Sequence, residues 1–269
     1  MKVLVSHDVD HITFWEHNRD LIIPKFMLRG FIELGLGYVS VSEIMKRIKN
    51  IIKNKRHNLE TLMKFNEEND ISATFFIGVA NGKGLNYSLK NAQFWVKKIL
   101  DEGFDVGVHG IAFSNYNDIK KEYDIFKNIS SLKSFGIRMH YLRNSKNTLE
   151  FLNKAGYLYD TTLYGYKNPY KTGKLWEFPL FIMDVNILRK NCGWQNQNLE
   201  QAKDVTKEII GEASNKGISH LTVNLHDRFF NDSFKTWKEW YIWLITYLKD
   251  NRCEFVSYKK AVKELEMSL

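Results

Sequence analysis

The sequence has 269 residues, 44% of them hydrophobic and 14% aromatic, with three prolines and a formal charge of +8. This composition excludes a largely disordered chain and supplies enough apolar material for one sizeable core. The longest apolar run, WYIWLITYL at 240–248, is too short to span a bilayer, and the two cysteines have no metal or disulfide-framework spacing.

Residues 2–8 predict a strand, an apolar run that stops abruptly in the carboxylates and histidines of VLVSHDVDH. Asp8 and Asp10 are two apart, so in extended backbone they share a face. Residues 12–70 predict mostly helix, broken near ELGLGYVS at 33–40. Around MKRIKNIIKNKR, at 45–56, Ile44, Ile48, Ile51 and Ile52 recur at helical spacing among Lys46, Arg47, Lys49, Lys53 and Lys55. That pattern reads as a solvated helix face; the sharper readings are an anionic membrane surface or nucleic acid, and no nucleic-acid motif accompanies it. ISATFFIG (71–78) predicts a strand, and SLKNAQFWVKKILDEG (88–103) predicts a helix capped at Gly103. FDVGVHG (104–110) is a strand ending at His109, followed by a helix over 117–134. GIRMHYLR (136–143) reads as a strand carrying Arg138 and His140, KNTLEFLNKAG (146–156) as a helix and YLYDTTL (157–163) as a strand. LWEFPLFIMD (175–184) is extended, 199–217 helical, ISHLTVNLHD (218–227) a strand ending near His226, 234–251 helical and CEFVSY (253–258) a strand.

Strands alternating with helices, many of them ending near a glycine, predict βα units around a parallel sheet. About seven such units in one domain predict a closed or nearly closed, distorted (β/α) barrel; an open doubly wound sheet is the alternative. Residues 1–269 then form a single domain with a mostly helical insertion at 12–70. Barrel chemistry sits at the C-terminal ends of strands, where Asp8, Asp10, His109, Arg138, His140 and His226 all fall. Taken singly, each has a structural explanation: a carboxylate capping a loop, a satisfied buried histidine, His226 paired with Asp227 at a turn. Taken together they converge on one mouth, and two carboxylates with several histidines suit a divalent metal plus an acid/base pair. His7 and His11 read as plain loop residues. WKEWYIW (237–243) offers aromatic surfaces, which helical spacing assigns to core packing.

The ordered set SHDVD, SATFFIG, DVGVHG, GIRMHYLR, AGYLYDTTL, LWEFPLFIMD and LTVNLHD resembles the NodB-homology polysaccharide deacetylases, carbohydrate esterase family four. The resemblance runs over about residues 2–260 and is closest to the branch found in surface-polysaccharide and O-antigen gene clusters. It implies a distorted (β/α) barrel, a divalent metal, usually zinc, and hydrolysis of the linear amide of an N-acetyl sugar. By position it implies Asp8 as catalytic base, Asp10 and His109 as metal ligands and Arg138 as the residue that orients the base. It further implies Tyr141 as the backbone N–H of an oxyanion hole and His226 as general acid, with Asp184 in a supporting segment. Two positions depart from the family pattern. Phe113 stands where a second histidine ligand is expected, and His140 stands where a proline is expected. His140 is therefore the candidate to replace the missing ligand, giving an Asp10, His109, His140 site.

MKVLVSHDVD lacks the shape of a signal peptide, so cytoplasmic residence is the expectation. A cytoplasmic enzyme of this kind would meet a nucleotide-linked or lipid-linked N-acetylated saccharide, both anionic, and a peripheral contact with the inner membrane surface fits the basic 45–56 stretch. The alternatives are a non-catalytic saccharide-binding or scaffold member that has lost its metal, favoured by Phe113, and a metal-assisted hydrolase of a non-sugar amide. A nucleic-acid role rests on charge alone and ranks last.

Overall fold

The computed structural model describes residues 1–268, without the side chains of residues 18 and 19. β1 (Lys2–Val9) is buried almost throughout, because both of its faces are covered. Its odd residues, Val3, Val5 and Val9, join the large core beneath the surrounding helices. Its even residues turn inward and change character along the strand. Leu4 belongs to a second apolar cluster with Phe76, Tyr159, Phe178 and Tyr258, whereas Ser6 and Asp8 lie in a buried polar layer. One strand thus carries a greasy floor and a polar mouth on the same face.

The sheet order is β6 (Tyr170–Thr172), β7 (Leu175–Glu177), β5 (Tyr159–Asp160), β4 (Ile137–Met139), β3 (Asp105–Gly110), β2 (Ala73–Ile77), β1, β9 (His220–Asn224), β8 (Ile182–Met183), with β10 (Glu254–Phe255) also paired to β1. Every pairing is parallel except β6 with β7. The strands curl into a half-barrel, the distorted (β/α) architecture that the alternation predicts. β7 and β8 lie toward opposite ends of this order, yet only residues 178–181 separate them. At about 3.3–3.6 Å per residue, that link brings the two ends of the sheet close together.

Between β1 and β2 the chain forms α1 (Ile22–Gly35), α2 (Val41–Ile52) and α3 (Leu59–Glu68). Ser40 and Glu43 close a reciprocal capping box at the start of α2. The basic 45–56 stretch is solvated at Lys46, Lys49 and Lys53 but not at its arginines. Arg47 is fully buried and donates to Glu33 at 2.7 Å, and Arg56 is 8% exposed. The other helices are α4 (Leu89–Asp101), α5 (Tyr116–Ser130), α6 (Thr148–Ala155), α7 (Asp184–Leu188), α8 (Leu199–Asn215), α9 (Lys235–Asp250) and α10 (Tyr258–Met267). Trp237, Trp240, Tyr241, Leu244 and Leu248 of α9 are buried at helical spacing, so its aromatics fill core. No described helix is long and apolar enough to cross a membrane.

Several elements are shorter than periodicity predicts. α5 stops at Ser130 because Ser131 adopts a left-handed φ of 58°. The 136–143 strand shrinks to Ile137–Met139, and His140–Leu142 form a 3-10 turn with Tyr141 and Leu142 at φ 59° and 50°. β6 and α10 lie outside the predicted alternation. Gly136 precedes β4 where a Cβ would stand 2.1 Å from the Tyr159 ring. Gly136→Ala is therefore expected to cost about 1–3 kcal/mol by overpacking. A urea midpoint equal to that of the wild type would show that Tyr159 can yield.

Candidate active site and metal centre

Asp8, Asp10, His109, His140, Tyr141 and His226 line one cavity of about 910 Å³ at the C-terminal ends of the strands. Arg138 lies directly beneath it, fully buried. Its guanidinium packs 4.8 Å from the Phe76 ring centre and donates to the Thr161 carbonyl, the Thr161 and Ser6 hydroxyls, and Asp8 Oδ1 at 3.1 Å. Asn224 Nδ2 donates to the other Asp8 oxygen at 3.0 Å. Burial alone pushes the Asp8 carboxyl up, but Arg138, with His109 and His226, outweighs it and holds Asp8 below its ordinary value.

Asp10, His109 and His140 come together although 130 residues of sequence separate the first from the last. His109 Nδ1 faces the Arg138 carbonyl at 3.1 Å, and His140 Nε2 faces the Lys83 carbonyl at 3.1 Å. Carbonyls only accept, so in neutral imidazoles those nitrogens carry the protons. The remaining nitrogens, His109 Nε2 and His140 Nδ1, are 3.0 Å apart and stand 3.1 and 3.2 Å from Asp10 Oδ1. Three lone pairs therefore converge with no hydrogen between them. A proton on one imidazole relieves part of this repulsion; a divalent cation relieves all of it. Tetrahedral zinc ligands at about 2.0–2.2 Å stand about 3.3–3.6 Å from each other, close to the spacing here. The donor set and its outer carbonyl partners fit a metal ion.

Arg228, which sequence reasoning missed, donates to Asp10 Oδ2, the oxygen turned away from His109. Burial pushes the Asp10 carboxyl up, but Arg228, His226, His109 and His140 hold it well below the carboxylate range. Asn224, Ser6 and Thr161 were missed as well. In the sequence they are ordinary strand residues, and only the barrel interior brings them onto the Arg138–Asp8 pair, Ser6 and Thr161 on the guanidinium and Asn224 on the carboxylate.

His226 does not pair with Asp227. Asp184 Oδ2 accepts its backbone N–H and Asp184 Oδ1 its Nδ1–H, both at 2.7 Å. This fixes the tautomer and leaves Nε2 facing the cavity, 3.6 Å from Asp10 Oδ2. Burial lowers the His226 value, but Asp184, despite opposition from Arg228, brings it above ordinary histidine. His7 lies in β1, not in a loop as expected. Its Nδ1 donates to the Leu225 carbonyl at 3.0 Å and its Nε2 accepts from Asn66 at 2.9 Å. Burial pushes it down to about 4, so it is a neutral packing residue. His11 lies just past the strand on the cavity wall, its Nδ1 3.1 Å from His17 Nε2.

Phe113 is half-buried, packs against the core and has the Arg143 guanidinium 5.1 Å from its ring centre. It does not line the cavity. Arg143 donates to the Ile111 and His140 carbonyls, tying the Phe113 loop to the His140 turn, while Glu122 accepts the Ile111 and Ala112 N–H groups. Burial outweighs those N–H bonds and pushes Glu122 up to about 7.

Solved structures share this architecture. A Mycobacterium smegmatis protein assigned as a polysaccharide deacetylase aligns over 99% of this chain and 90% of its own, at 13% identity and a TM-score of 0.66. The chain has the polysaccharide-deacetylase fold. The allantoinase Puue shows the same fold at 14% identity, over 97% of this chain and 88% of its own, with a TM-score of 0.62. A Pseudomonas aeruginosa protein assigned as a polysaccharide deacetylase matches 77% of this chain and 72% of its own at 17% identity and a TM-score of 0.57. No protein-family model and no curated protein matches the sequence. The deacetylase fold thus stands on structure, at identities too low to carry residue roles across.

Proposed function

We propose that this chain is a metal-dependent hydrolase that removes the N-acetyl group of a nucleotide-linked or lipid-linked sugar in surface-polysaccharide biosynthesis, within a single domain. The observation that carries this reading is the convergence of three lone pairs beside a buried, guanidinium-held Asp8. Asp10, His109 and His140 would hold the ion, most simply zinc, which when bound acidifies water and polarises the acetyl carbonyl. Asp8 takes the proton of the attacking water, with Arg138 and Asn224 fixing both of its oxygens. The backbone N–H of Tyr141, in its left-handed turn, meets the developing oxyanion. His226 Nε2 then protonates the departing amine. The products are acetate and an amino sugar.

The test is acetate release from N-acetylated sugars with and without added zinc or cobalt. Metal-independent sugar binding without release would instead support a non-catalytic saccharide-binding protein, the reading favoured by Phe113. Cleavage of simple cyclic amides in place of acetylated sugars would move the substrate class.

A lipid-linked substrate would place the protein at the inner face of a membrane. Leu28, Phe31, Met45 and Ile52 are exposed on α1 and α2 beside Lys46 and Lys49, which supports that setting.

His226 acts as an acid only while protonated, so activity should fall as pH rises through its raised value. The same ion pair stabilises the fold below about 6.5 and loses that contribution as pH rises through the folded value. Asp184→Asn removes the largest raising influence, so the basic limb of the kcat/KM profile is expected to move to lower pH. An unmoved limb would remove His226 from the acid role.

A further inference from the structure

The cavity wall holds more positive charge than its own carboxylates answer. Lys25, Arg29, Arg56, Lys83, Arg189 and Arg228 line it, against Asp8, Asp10 and Asp20. Each of those carboxylates is already engaged: Asp8 by Arg138 and Asn224, Asp10 by Arg228 and two histidines, Asp20 by His17 and Asn86. Glu33, the nearest further acid on α1, accepts from Arg47 and from the Gln195 N–H. Asp227 attracts Arg56 electrostatically but makes no ion pair with it among the described residues.

Arg56 and Arg189 are held by their faces. The Arg56 guanidinium packs 4.2 Å from the Phe26 ring centre and 5.4 Å from that of Phe14, and Arg189 packs 5.1 Å from Trp237 and 5.3 Å from Phe229. Stacking of this kind leaves the hydrogen-bonding edge of the fork unused. The Nε atoms of both residues are buried without a partner, and Arg56 is only 8% exposed. Burial first, then repulsion from neighbouring arginines, Arg228 foremost for Arg29 and Arg56 and Arg29 foremost for Arg189, pushes Arg29 and Arg56 below their ordinary values and Arg189 down to about 9. A guanidinium stays charged in such a place, so the wall presents positive charge that no described carboxylate pairs with.

We propose that Arg29, Arg56 and Arg189 form a phosphate-binding subsite beside the Asp10–His109–His140 group, taking the phosphate or pyrophosphate ester of the sugar. A carboxylate fills one guanidinium fork, whereas a phosphate or pyrophosphate offers oxygens to several. The identity of the sugar rests on the deacetylase reading; the anion site rests on the arginines alone.

Calorimetric titration of the metal-loaded full chain compares N-acetylglucosamine 1-phosphate with the neutral methyl N-acetylglucosaminide. The phosphate is expected to bind at least about tenfold tighter, as charge-assisted forks require. Arg189→Gln and the half-buried Arg29→Gln should each reduce that preference by about tenfold, as should Arg56→Gln if that buried variant folds. Equal affinities, or a preference untouched in every folded variant, overturn the subsite. Uridine diphosphate N-acetylglucosamine in solution and a polyprenyl diphosphate N-acetylglucosamine in neutral-lipid vesicles, blanked with sugar-free vesicles, separate the two sources. Tighter binding than the neutral glycoside in either arm supports the subsite and names its source. Phosphate preference without acetate release keeps the subsite and removes the deacetylase reading; acetate release without phosphate preference does the reverse.

Discussion

In Asp8→Asn, acetate release is expected to fall by about 10²–10⁴-fold while bound metal stays at the wild-type level. The reasoning begins in β1, where Asp8 points into the barrel above Ser6 and Leu4. Both Asp8 oxygens accept hydrogen bonds, one from Arg138 and one from Asn224. An amide has one accepting oxygen and one donating nitrogen, so the variant must present an N–H₂ to one of these donors. Arg138 would keep Ser6 and Thr161 but lose its only ion pair among the described residues. A buried charge left alone costs about 3–5 kcal/mol, so a lower urea midpoint is expected as well. Activity must therefore be compared under conditions where both proteins are folded, and metal content separates loss of the base from loss of the site. Wild-type turnover in a folded Asp8→Asn protein would end the general-base role. Because Arg138 holds Asp8 below the ordinary carboxylate value, loss of wild-type activity between pH 4 and 6 would not be its titration.

Much of this arrangement is legible in one dimension. The period of two in VLVSHDVDH places Leu4, Ser6 and Asp8 on one face, and the structure puts that face inside the barrel. The same logic holds for Thr222 and Asn224 of β9, both buried. Legibility fails where local pattern and tertiary path part. LWEFPLFIMD keeps strand-like character throughout, yet its two ends belong to strands at opposite sides of the sheet. Nothing in the period of a segment records which neighbour it will pair with. The left-handed pair Tyr141 and Leu142 is equally silent, because neither residue is one that favours positive φ. Arg228 belongs to no motif in the sequence, and only folding brings Asp10 to it across 218 residues. In the 45–56 stretch the lysines follow the surface expectation, and the arginines do not, because their planar heads stack on Phe26 and Phe234.

His140→Ala is expected to lower the metal affinity by more than the about 10–100-fold that loss of an outer partner costs. His140 supplies one of three converging lone pairs, and its Nε2 is already committed to the Lys83 carbonyl, so only Nδ1 is free to face an ion. The loop that would hold an alternative ligand cannot compensate. Its Phe113 is turned out of the cavity beneath Arg143, and Glu122 pins the backbone at Ile111 and Ala112. Asp10 and His109 would remain, 3.1 Å apart, as a pair with a third corner missing. In the metal-free proteins, relief of lone-pair repulsion is set against loss of the buried imidazole and its bond to the Lys83 carbonyl, so each variant's metal-free Tm is its own baseline. The stabilisation conferred by added metal should shrink with the affinity, as linkage requires. Bound zinc per chain after gel filtration, together with the metal-induced rise in Tm, reads both effects. Equal zinc content in wild type and His140→Ala would show that the third ligand lies elsewhere, and would return His140 to the role of a hydrogen-bonding residue between His109 and Lys83.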